Sequence, residues 1–446
     1  MYREALLGKG ELSKIAYTSS MIDDSEIFRE TILALITHVN ELERQGILRR
    51  DEAKAIRDGL RGIFKDGYRP IQGYEDVHEY VEAELIRRIG PIGGWVGLGR
   101  SRNDHVAAAI RLRLRRMIIE LMAEANRLRS TALGKALETL NKPIIGSTHR
   151  QPAQAATLAM YMLYIDELTR DFLGSIKEAL NVVNRSPLGT GPLAGVLTRL
   201  DRVREASELG FSGIVENPIY ATGSRFFALL ASSITVSYLV ELGRFINTLE
   251  MWLMPQLNYI NADPSHLATS SIMPHKRNPA TLEVFRARIG EAMGHLVALM
   301  SIERPVESGY QLDLQEATRH VWAIFKIAKD GLAILTDFIK GIDVNVDRVF
   351  EDSSKYPITA SEYVEERSIS EHRPFREVYR EAALMIKNGS FKGPSIEEVL
   401  KSKDIISNAR SIAESRLREV DEDSKYLDKL WRLINEAEEK LLTEEG

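Results

Sequence analysis

Apolar residues recur at helical spacing along most of the chain, which has 446 residues. In residues 25–46, for example, Ile32, Leu35, Ile36 and Val39 follow the i, i+3, i+4, i+7 pattern of one helix face. The same spacing predicts helices over residues 51–64, 75–89, 105–140, 152–183, 225–260, 280–302 and about 314–340, with a kink near Pro255. Strict alternation of apolar and polar residues, the strand pattern, is sparse. The pattern therefore predicts an all-α protein.

Two of these segments indicate the architecture. Residues 105–140 carry an unbroken helical pattern of about 36 residues, roughly 54 Å at 1.5 Å per residue. This length predicts an elongated bundle that is shared between subunits. The longest apolar run, from Phe226 to Val240, is shorter than the roughly 20 residues that span a bilayer. It predicts a helix buried on all sides in the centre of a bundle.

The C-terminal part differs in character from the rest of the chain. From about residue 355 the predicted helices are shorter and more charged. Ser395 and Glu398 form a capping-box pattern, and Asn388-Gly389 is a helix stop signal. We therefore predict three helical domains: an N-terminal domain over residues 1–104, a central long-helix bundle over 105–354, and a small C-terminal domain over 355–446.

Composition and charge exclude several classes of protein. The chain has no cysteine, which excludes disulfides, thiolate metal sites and a cysteine nucleophile and suits a cytoplasmic protein. A net charge of −5 gives no global attraction to nucleic acid or to an anionic membrane. Four arginines between residues 111 and 116 alternate with leucines, which predicts a solvated or subunit-contacting face rather than a nucleic-acid patch. No apolar stretch of a signal peptide follows Met1.

Four polar loops lie between the predicted long helices: around Arg102, around His149, over residues 186–195, and around Ser270. Loops on a rigid helical scaffold are common places for functional sites. The last loop, residues 269–279, carries Lys276, Asn278 and two prolines directly before a predicted helix. Cations and backbone N–H groups that converge at a helix N-terminus favour an anion. A solvated basic loop is the alternative.

The residue types in these loops suit proton transfer and carboxylate binding. A histidine such as His149 can act as acid or base near neutral pH, although a structural loop histidine is the alternative. Arg102, Lys276 and Asn278 suit a carboxylate ligand, and ordinary surface ion pairing is the alternative. Ser270 lies in no Gly-x-Ser-x-Gly elbow, so acyl transfer is not supported. No His-x-x-x-His or acidic triplet has ligand spacing, and we predict no metal site.

Taken together, the motifs of these loops resemble the fumarase/aspartase superfamily and, within it, the argininosuccinate lyases. The resemblance rests on blocks that occur in family order: residues 74–78 (Tyr-Glu-Asp-Val-His), 99–107 (Gly-Arg-Ser-Arg-Asn-Asp-His-Val-Ala), Thr148-His149, 186–189 (Ser-Pro-Leu-Gly), 270–279 (Ser-Ser-Ile-Met-Pro-His-Lys-Arg-Asn-Pro), and Tyr310 with Gln315. It implies a three-domain all-α fold whose long helices form a homotetrameric bundle, with each active site shared between subunits. It also implies reversible β-elimination of argininosuccinate to arginine and fumarate, without a cofactor.

The resemblance also implies roles for individual residues. Ser270 would be the base that removes the Cβ proton, in the positive field of Lys276 and the neighbouring backbone N–H groups. His149 would be on the acid side, oriented by Glu283. The residues implied for substrate binding are Arg102, Asn103, Thr148, Ser271, Asn278, Tyr310, Gln315 and Asp76.

Three departures from the family pattern keep other activities open. Thr269 stands where the family usually has glycine, Thr318 where a lysine is expected, and Ala34-Leu35 where a Gly-Ser pair is usual. The sequence His275-Lys276-Arg277 is more like the corresponding motif of adenylosuccinate lyase, which performs the same elimination on a nucleotide. A non-catalytic structural protein on this scaffold, like the lens crystallins of the family, is a further alternative.

Overall fold

The structure is a computed structural model, and it describes residues 10–443. The helices of the first half are α1 (Leu12–Thr18), α2 (Phe28–Arg44), α3 (Arg50–Asp66), α4 (Val77–Ile89), α5 (Arg102–Glu138), α6 (Leu158–Val183), α7 (Arg202–Glu208) and α8 (Pro218–Gly223). Those of the second half are α9 (Phe226–Leu253), α10 (Ala280–Glu303), α11 (Asp313–Gly341), α12 (Val346–Lys355), α13 (Ala360–Ser370), α14 (Phe375–Lys387), α15 (Ile396–Ser402), α16 (Asp404–Ser407) and α17 (Ala409–Leu442).

Strands are short and form three two-stranded antiparallel sheets in the described chain. They are β1 (Pro143–Thr148) with β2 (Gln151–Thr157), β3 (Ile260–Asn261) with β6 (Asp343–Val344), and β4 (Ala268–Thr269) with β5 (Arg277–Asn278). Helices thus supply the core, and the predicted all-α class is confirmed.

Helix α5 is the central helix of the bundle. Ser101 caps its start, since its Oγ accepts the Asn103 N–H while Asp104 Oδ1 accepts the Ser101 N–H. Its 37 residues give a length of about 55 Å. Helices α2, α6, α11 and α17 pack along it. The chain segments at its two ends are therefore far apart within one molecule.

Helix α9 contains the apolar run of the sequence. By length and composition it could cross a membrane, but 56% of its most apolar window is buried inside the protein. It packs against α6, α10 and α11, but Phe226 and Val240 are 50% and 40% exposed, so the prediction of a helix buried on all sides is wrong for the single chain. It ends at Leu253 rather than kinking near Pro255, because Met254 has the extended backbone (ψ 137°) that a following proline favours.

The hairpin β1–β2 takes up the first residues of the helix that we predicted over 152–183, and the rest of that helix is present as α6. Pro152 lies in β2 opposite Ser147, where the register shifts, and a proline is tolerated there because such an irregularity does not need its missing N–H. Helix α6 begins only at Leu158, where Thr157 Oγ1 accepts the Met160 N–H. The short-range pattern was compatible with either state, and the pairing with β1 selects the strand.

The predicted solvated or subunit-contacting face on α5 is wrong for two of its four arginines. Arg111 and Arg115 are fully buried. Arg111 donates to the carbonyls of Val182 and Val183 and stacks on Phe227, with its guanidinium carbon 3.8 Å from the ring centroid. Burial lowers the pKa of Arg111 to about 9. Carbonyl groups and aromatic rings thus accommodate these cations within the bundle.

The C-terminal helices divide into two groups by their contacts. Val364, Val378 and Ala382 form a small apolar cluster between α13 and α14. Helix α17, in contrast, has 34 residues, so the prediction of shorter helices after residue 355 is wrong there. It packs against α5, and Glu438 on it bonds Arg115. The division of the chain at residues 104 and 354 stays a prediction.

Candidate functional site

The predicted site residues lie at the two opposite ends of α5. Asp76, Arg102, Asn103, Tyr310 and Gln315 lie near its start, at what we call the Arg102 end. Thr148, His149, Ser270, Ser271, Lys276, Asn278 and Glu283 belong to the hairpins β1–β2 and β4–β5 and to the start of α10, at what we call the Ser270 end. Because α5 is about 55 Å long, these two groups do not meet within one chain.

At the Arg102 end, Arg102 forms a fork with two carboxylates. Its Nη1 is 2.9 Å from Asp76 Oδ2, and its Nη2 is 3.1 Å from Glu75 Oε2. Asp76 also caps α4 by accepting the Glu79 N–H at 2.8 Å. Burial raises the pKa of Asp76, and the Arg102 charge opposes this shift. The ion pairs fix Arg102, which is about one-third exposed, at the mouth of this end.

A chain of hydrogen bonds continues from Tyr310 into the N-terminal segment. The Tyr310 hydroxyl is 3.4 Å from Gln315 Oε1, and the Gln315 amide donates to Ser20 Oγ. Ser20 in turn donates to Asp24 Oδ2 at 2.6 Å. Burial raises the pKa of Asp24 to about 7 and that of Tyr310 to about 12. Both groups therefore keep their protons, and stay neutral, to a higher pH than they would in water.

The loop of residues 186–195 closes this end. Asn103 Nδ2 donates to the Pro192 carbonyl at 3.1 Å, and the Gly191 N–H donates to Asp104 Oδ2 at 2.9 Å. Gly191 has φ +63°, and a Cβ there would lie 2.5 Å from Val196, so glycine is required. These contacts bring the loop of residues 186–195 onto the start of α5.

At the Ser270 end, His149 occupies the tip of a tight hairpin. Thr148 pairs with Gln151, so His149 and Arg150 alone make the turn. Their φ values of 52° and 61° are those of a type I′ turn, which normally takes asparagine or glycine. Non-glycine residues at such angles cost about 1–3 kcal/mol each. The turn exposes the imidazole of His149 to solvent.

Ser270 lies at the tip of the second hairpin, where backbone N–H groups surround its oxygen. The Ile272 and Met273 N–H groups donate to Ser270 Oγ at 3.3 and 3.0 Å. The Lys276 N–H donates a hydrogen bond to the Met273 carbonyl oxygen at 3.1 Å, which closes the same loop. Two N–H donors on one hydroxyl oxygen favour its anionic form.

The remaining residues of this end surround a cleft. Ser271 and Lys276 are exposed, and Asn278 in β5 is half-buried. A cleft of about 1380 Å³ has Ser147 and Arg150 on one side and Arg277 and Glu283 on the other. It joins the two hairpins. No hydrogen bond in the described chain links Glu283 to His149, so the orienting role of Glu283 stays a prediction.

Three further polar residues belong to the Arg102 end and were missed from the sequence: Ser20, Asp24 and Glu75. Glu75 lies within a quoted motif, but Ser20 and Asp24 are in a segment that matches none of the quoted motifs. Their spacing of four residues before a helix was the available clue. Within residues 10–443, no three His, Asp or Glu side chains form a group that could hold a metal ion. The absence of a metal and of a cofactor stays a prediction.

Comparison with known proteins agrees with this arrangement of loops and helices. Residues 12–294 match the lyase family. The chain is 47% identical over 401 residues to the argininosuccinate lyase of Pyrobaculum calidifontis, covering 90% of this chain and 93% of that protein. It is 39% identical over 388 residues to the argininosuccinate lyase of Pyrococcus furiosus, covering 86% and 84% of the two chains.

Solved structures support the same fold. An EDDS lyase in complex with formate superposes with a TM-score of 0.83 over 97% of this chain and 94% of the other, at 23% identity. This likeness bears on the fold alone. The sequence relationships go further, and on their strength the chain belongs to the lyase family and, within it, to the argininosuccinate lyases.

Proposed function

We propose that the chain catalyses the reversible β-elimination of argininosuccinate to arginine and fumarate, a step of arginine biosynthesis. The relatives that it matches over nine-tenths of its length carry the name of this activity. In this reaction a proton leaves the Cβ next to a carboxylate, and the Cα–N bond to the guanidino group then breaks. The enzyme must therefore supply a base, an acid and a receptor for growing negative charge.

The single observation that carries the proposal is the environment of Ser270. Its oxygen accepts N–H groups from Ile272 and Met273, and the loop leads directly into the N-terminus of α10. A serine hydroxyl is too weakly acidic to be a base unaided, but N–H donors and the Lys276 charge lower the pKa of such a group. Ser270 as the alkoxide would take the Cβ proton and become a neutral hydroxyl.

The same loop suits the charge that forms next. Loss of the Cβ proton places a second negative charge on the adjacent carboxylate. Lys276, Asn278, Ser271 and the N–H groups at the start of α10 form a receptor for that charge. When the Cα–N bond breaks, its electron pair stays on the nitrogen of the leaving arginine. His149, on the neighbouring hairpin, would return a proton to that nitrogen, with Glu283 orienting the imidazole.

The Arg102 end would hold the rest of the substrate. Arg102 and Asn103, with Thr148 from the other end, are suited to substrate carboxylates. Tyr310, Gln315 and Asp76 are suited to the arginine part, since amide, hydroxyl and carboxylate groups bond guanidinium and amino groups well. The buried hydrogen-bonded chain from Gln315 through Ser20 to Asp24 supports this surface from the inside.

We further propose that the protein is a homotetramer whose active sites are shared between subunits. The two ends cannot meet within one chain, but antiparallel packing of two copies places the Arg102 end of one beside the Ser270 end of the other. Helix α10 has an apolar stripe for such packing: Met293, Val297 and Met300 are 48%, 63% and 47% exposed. Burying exposed apolar groups of this size drives association.

The other expected properties follow from the chemistry. The reaction needs no cofactor, because proton transfer and charge stabilisation suffice. A soluble cytoplasmic enzyme without nucleic-acid or membrane partners agrees with the absence of cysteine and the net charge of −5.

The test is fumarate release, followed by ultraviolet absorbance, from argininosuccinate and from adenylosuccinate in parallel. We expect turnover of argininosuccinate alone. Ser270→Ala should lose at least about 10³-fold in kcat while remaining a tetramer by light scattering. Turnover of adenylosuccinate alone would favour the nucleotide lyase, and turnover of neither substrate would favour a structural protein.

A further inference from the structure

His266 is a buried histidine at the base of the Ser270 hairpin, and no step of the proposed reaction uses it. It ends the 3-10 turn Pro264–His266, and strand β4 begins two residues later. The side chain is 4% exposed. Its ring lies edge-on to Phe338 of α11, with centroids 5.2 Å apart. A polar ring in such a place needs partners for both nitrogens.

The two ring nitrogens of His266 reach two different helices. Nδ1 is 2.9 Å from the hydroxyl oxygen of Thr281, the second residue of α10. Nε2 is 3.3 Å from Asp337 Oδ2 on α11, an ion-pair distance without hydrogen-bond geometry. In the tautomer protonated at Nε2, Nδ1 accepts the hydrogen bond of the threonine hydroxyl, and Nε2 is close to the carboxylate without a hydrogen bond to it. The partly buried Thr281 contact is the stronger one, since the Asp337 side chain is 68% exposed.

Few other contacts hold this hairpin in place. Only two residue pairs join its strands, Ala268 with Asn278 and Thr269 with Arg277. Residues 271–277 are all exposed. Across residues 262–281, which the structure describes throughout, the His266 side chain bonds the start of α10 and contacts α11. Strand β5 leads into α10 through Pro279, and His266, which precedes β4, ties the other strand of the hairpin to the same helix.

We propose that His266 is a positioning residue, which fixes the Ser270 hairpin against the first turn of α10. The base would come from the hairpin, whereas the charge receptor includes the N-terminus of α10, so their relative placement decides whether both act on one substrate. Thr281 is also two residues before Glu283, so the same contact holds that carboxylate. This inference rests on the proposed elimination reaction. A misplacement of about 1 Å at such a site costs about 100-fold in rate.

Three variants test the role. His266→Phe keeps the ring packing on Phe338 but removes both polar contacts, and we expect kcat to fall about 10- to 100-fold with KM within about threefold. Thr281→Val removes the partner and should reproduce most of that loss. His266→Asn keeps an acceptor near Thr281 and should recover kcat to within about fivefold of the wild type. A purely structural role would not produce this rescue.

His320→Phe is the matched control. It breaks the 2.9 Å contact between His295 Nδ1 and His320 Nδ1, which joins the same two helices away from the hairpin, and should keep the wild-type kcat. An equal loss in this control, or a His266→Phe kcat within twofold of the wild type, would overturn the proposal.

A second measurement separates this inference from the proposed reaction. If the wild type does not turn over argininosuccinate, the proposed function fails, and the contact itself is then tested by amide hydrogen exchange. Residues 270–277 should exchange about tenfold faster in His266→Phe than in the wild type, with the remainder of α10 unchanged. Equal exchange rates in this loop would overturn the role of His266 whatever the substrate.

Discussion

Replacing Glu438 with alanine should destabilise the protein more than any other single charge removal on α17. Glu438 is fully buried, and its carboxylate accepts hydrogen bonds from three arginine side chains. Arg115 and Arg116 donate at 2.7 Å each, and Arg29 is the third donor. Arg115 is also fully buried. Burial lowers the pKa of Arg115, and the Glu438 carboxylate opposes that shift. Removing the carboxylate leaves a cation in the core without its counter-charge.

The expected loss follows from what each arginine retains. Truncating one partner of a buried pair costs about 3–5 kcal/mol. Arg115 keeps hydrogen bonds to the Asn184 side chain and to the carbonyls of Leu209 and Gly210, which places the loss near the lower limit. Arg29 and Arg116 are 26% and 16% exposed, so water can solvate their charges when the carboxylate is removed. We therefore expect a loss of about 3 kcal/mol in the free energy of unfolding.

Urea denaturation followed by far-ultraviolet circular dichroism measures this loss, at a fixed protein concentration because association contributes to stability. Glu439→Ala, at an exposed neighbouring carboxylate, is the control and should change stability by less than about 0.5 kcal/mol. The double variant Arg115→Met, Glu438→Leu should recover part of the loss, because it removes both charges together. A loss below about 1 kcal/mol in Glu438→Ala would refute the reasoning, since an uncompensated core cation costs more than that.

Three other predictions concern the two ends of α5. Arg150→Gly should raise the free energy of unfolding by about 1 kcal/mol relative to Arg150→Ala, because glycine tolerates the φ of 61°; equal stability of the two variants in urea would contradict this. His149→Asn, which keeps a residue suited to the turn, should lose about 10²–10⁴-fold in kcat, and a kcat near the wild-type value would assign the acid role elsewhere. Burial raises the pKa of Asp24 to about 7, so the folded state retains a proton that the unfolded chain loses near pH 4, and the stability from this group falls as pH rises between these values. The free energy of unfolding of Asp24→Asn, minus that of the wild type, should therefore be larger at pH 8 than at pH 4.5 by about one to a few kcal/mol. The same difference between the two proteins at both pH values would contradict the assignment.

The sequence alone predicted the long helices before residue 345, most of them to within a few residues, because an apolar stripe along a helix is a local pattern. Predicted helices over 280–302 and about 314–340 correspond to Ala280–Glu303 and Asp313–Gly341. The loop motifs also indicated the superfamily, and family membership is confirmed. The predictions failed where a local pattern fits two states: Pro152 lies in a strand because β1 is available to pair with β2.

Other features depend on contacts between residues distant in sequence. Four arginines between residues 111 and 116 look alike in the sequence, but Arg115 is buried because Glu438, 323 residues later, meets it. Likewise, Ser20 joins the Arg102 end only because Gln315 reaches it across the bundle. His266 had no visible role until Thr281 and Asp337 were found on either side of its ring.

By itself, then, the sequence determined the helical elements, the loops that carry polar chemistry and the family to which the chain belongs, since each is written in residues close together along the chain. Only the tertiary structure decided which loops share an end of the molecule. The length of α5, about 55 Å, separates the Arg102 end from the Ser270 end, because a rigid helix cannot bring its own two termini together. That distance is the physical reason why a complete site requires a second copy of the chain under our proposal.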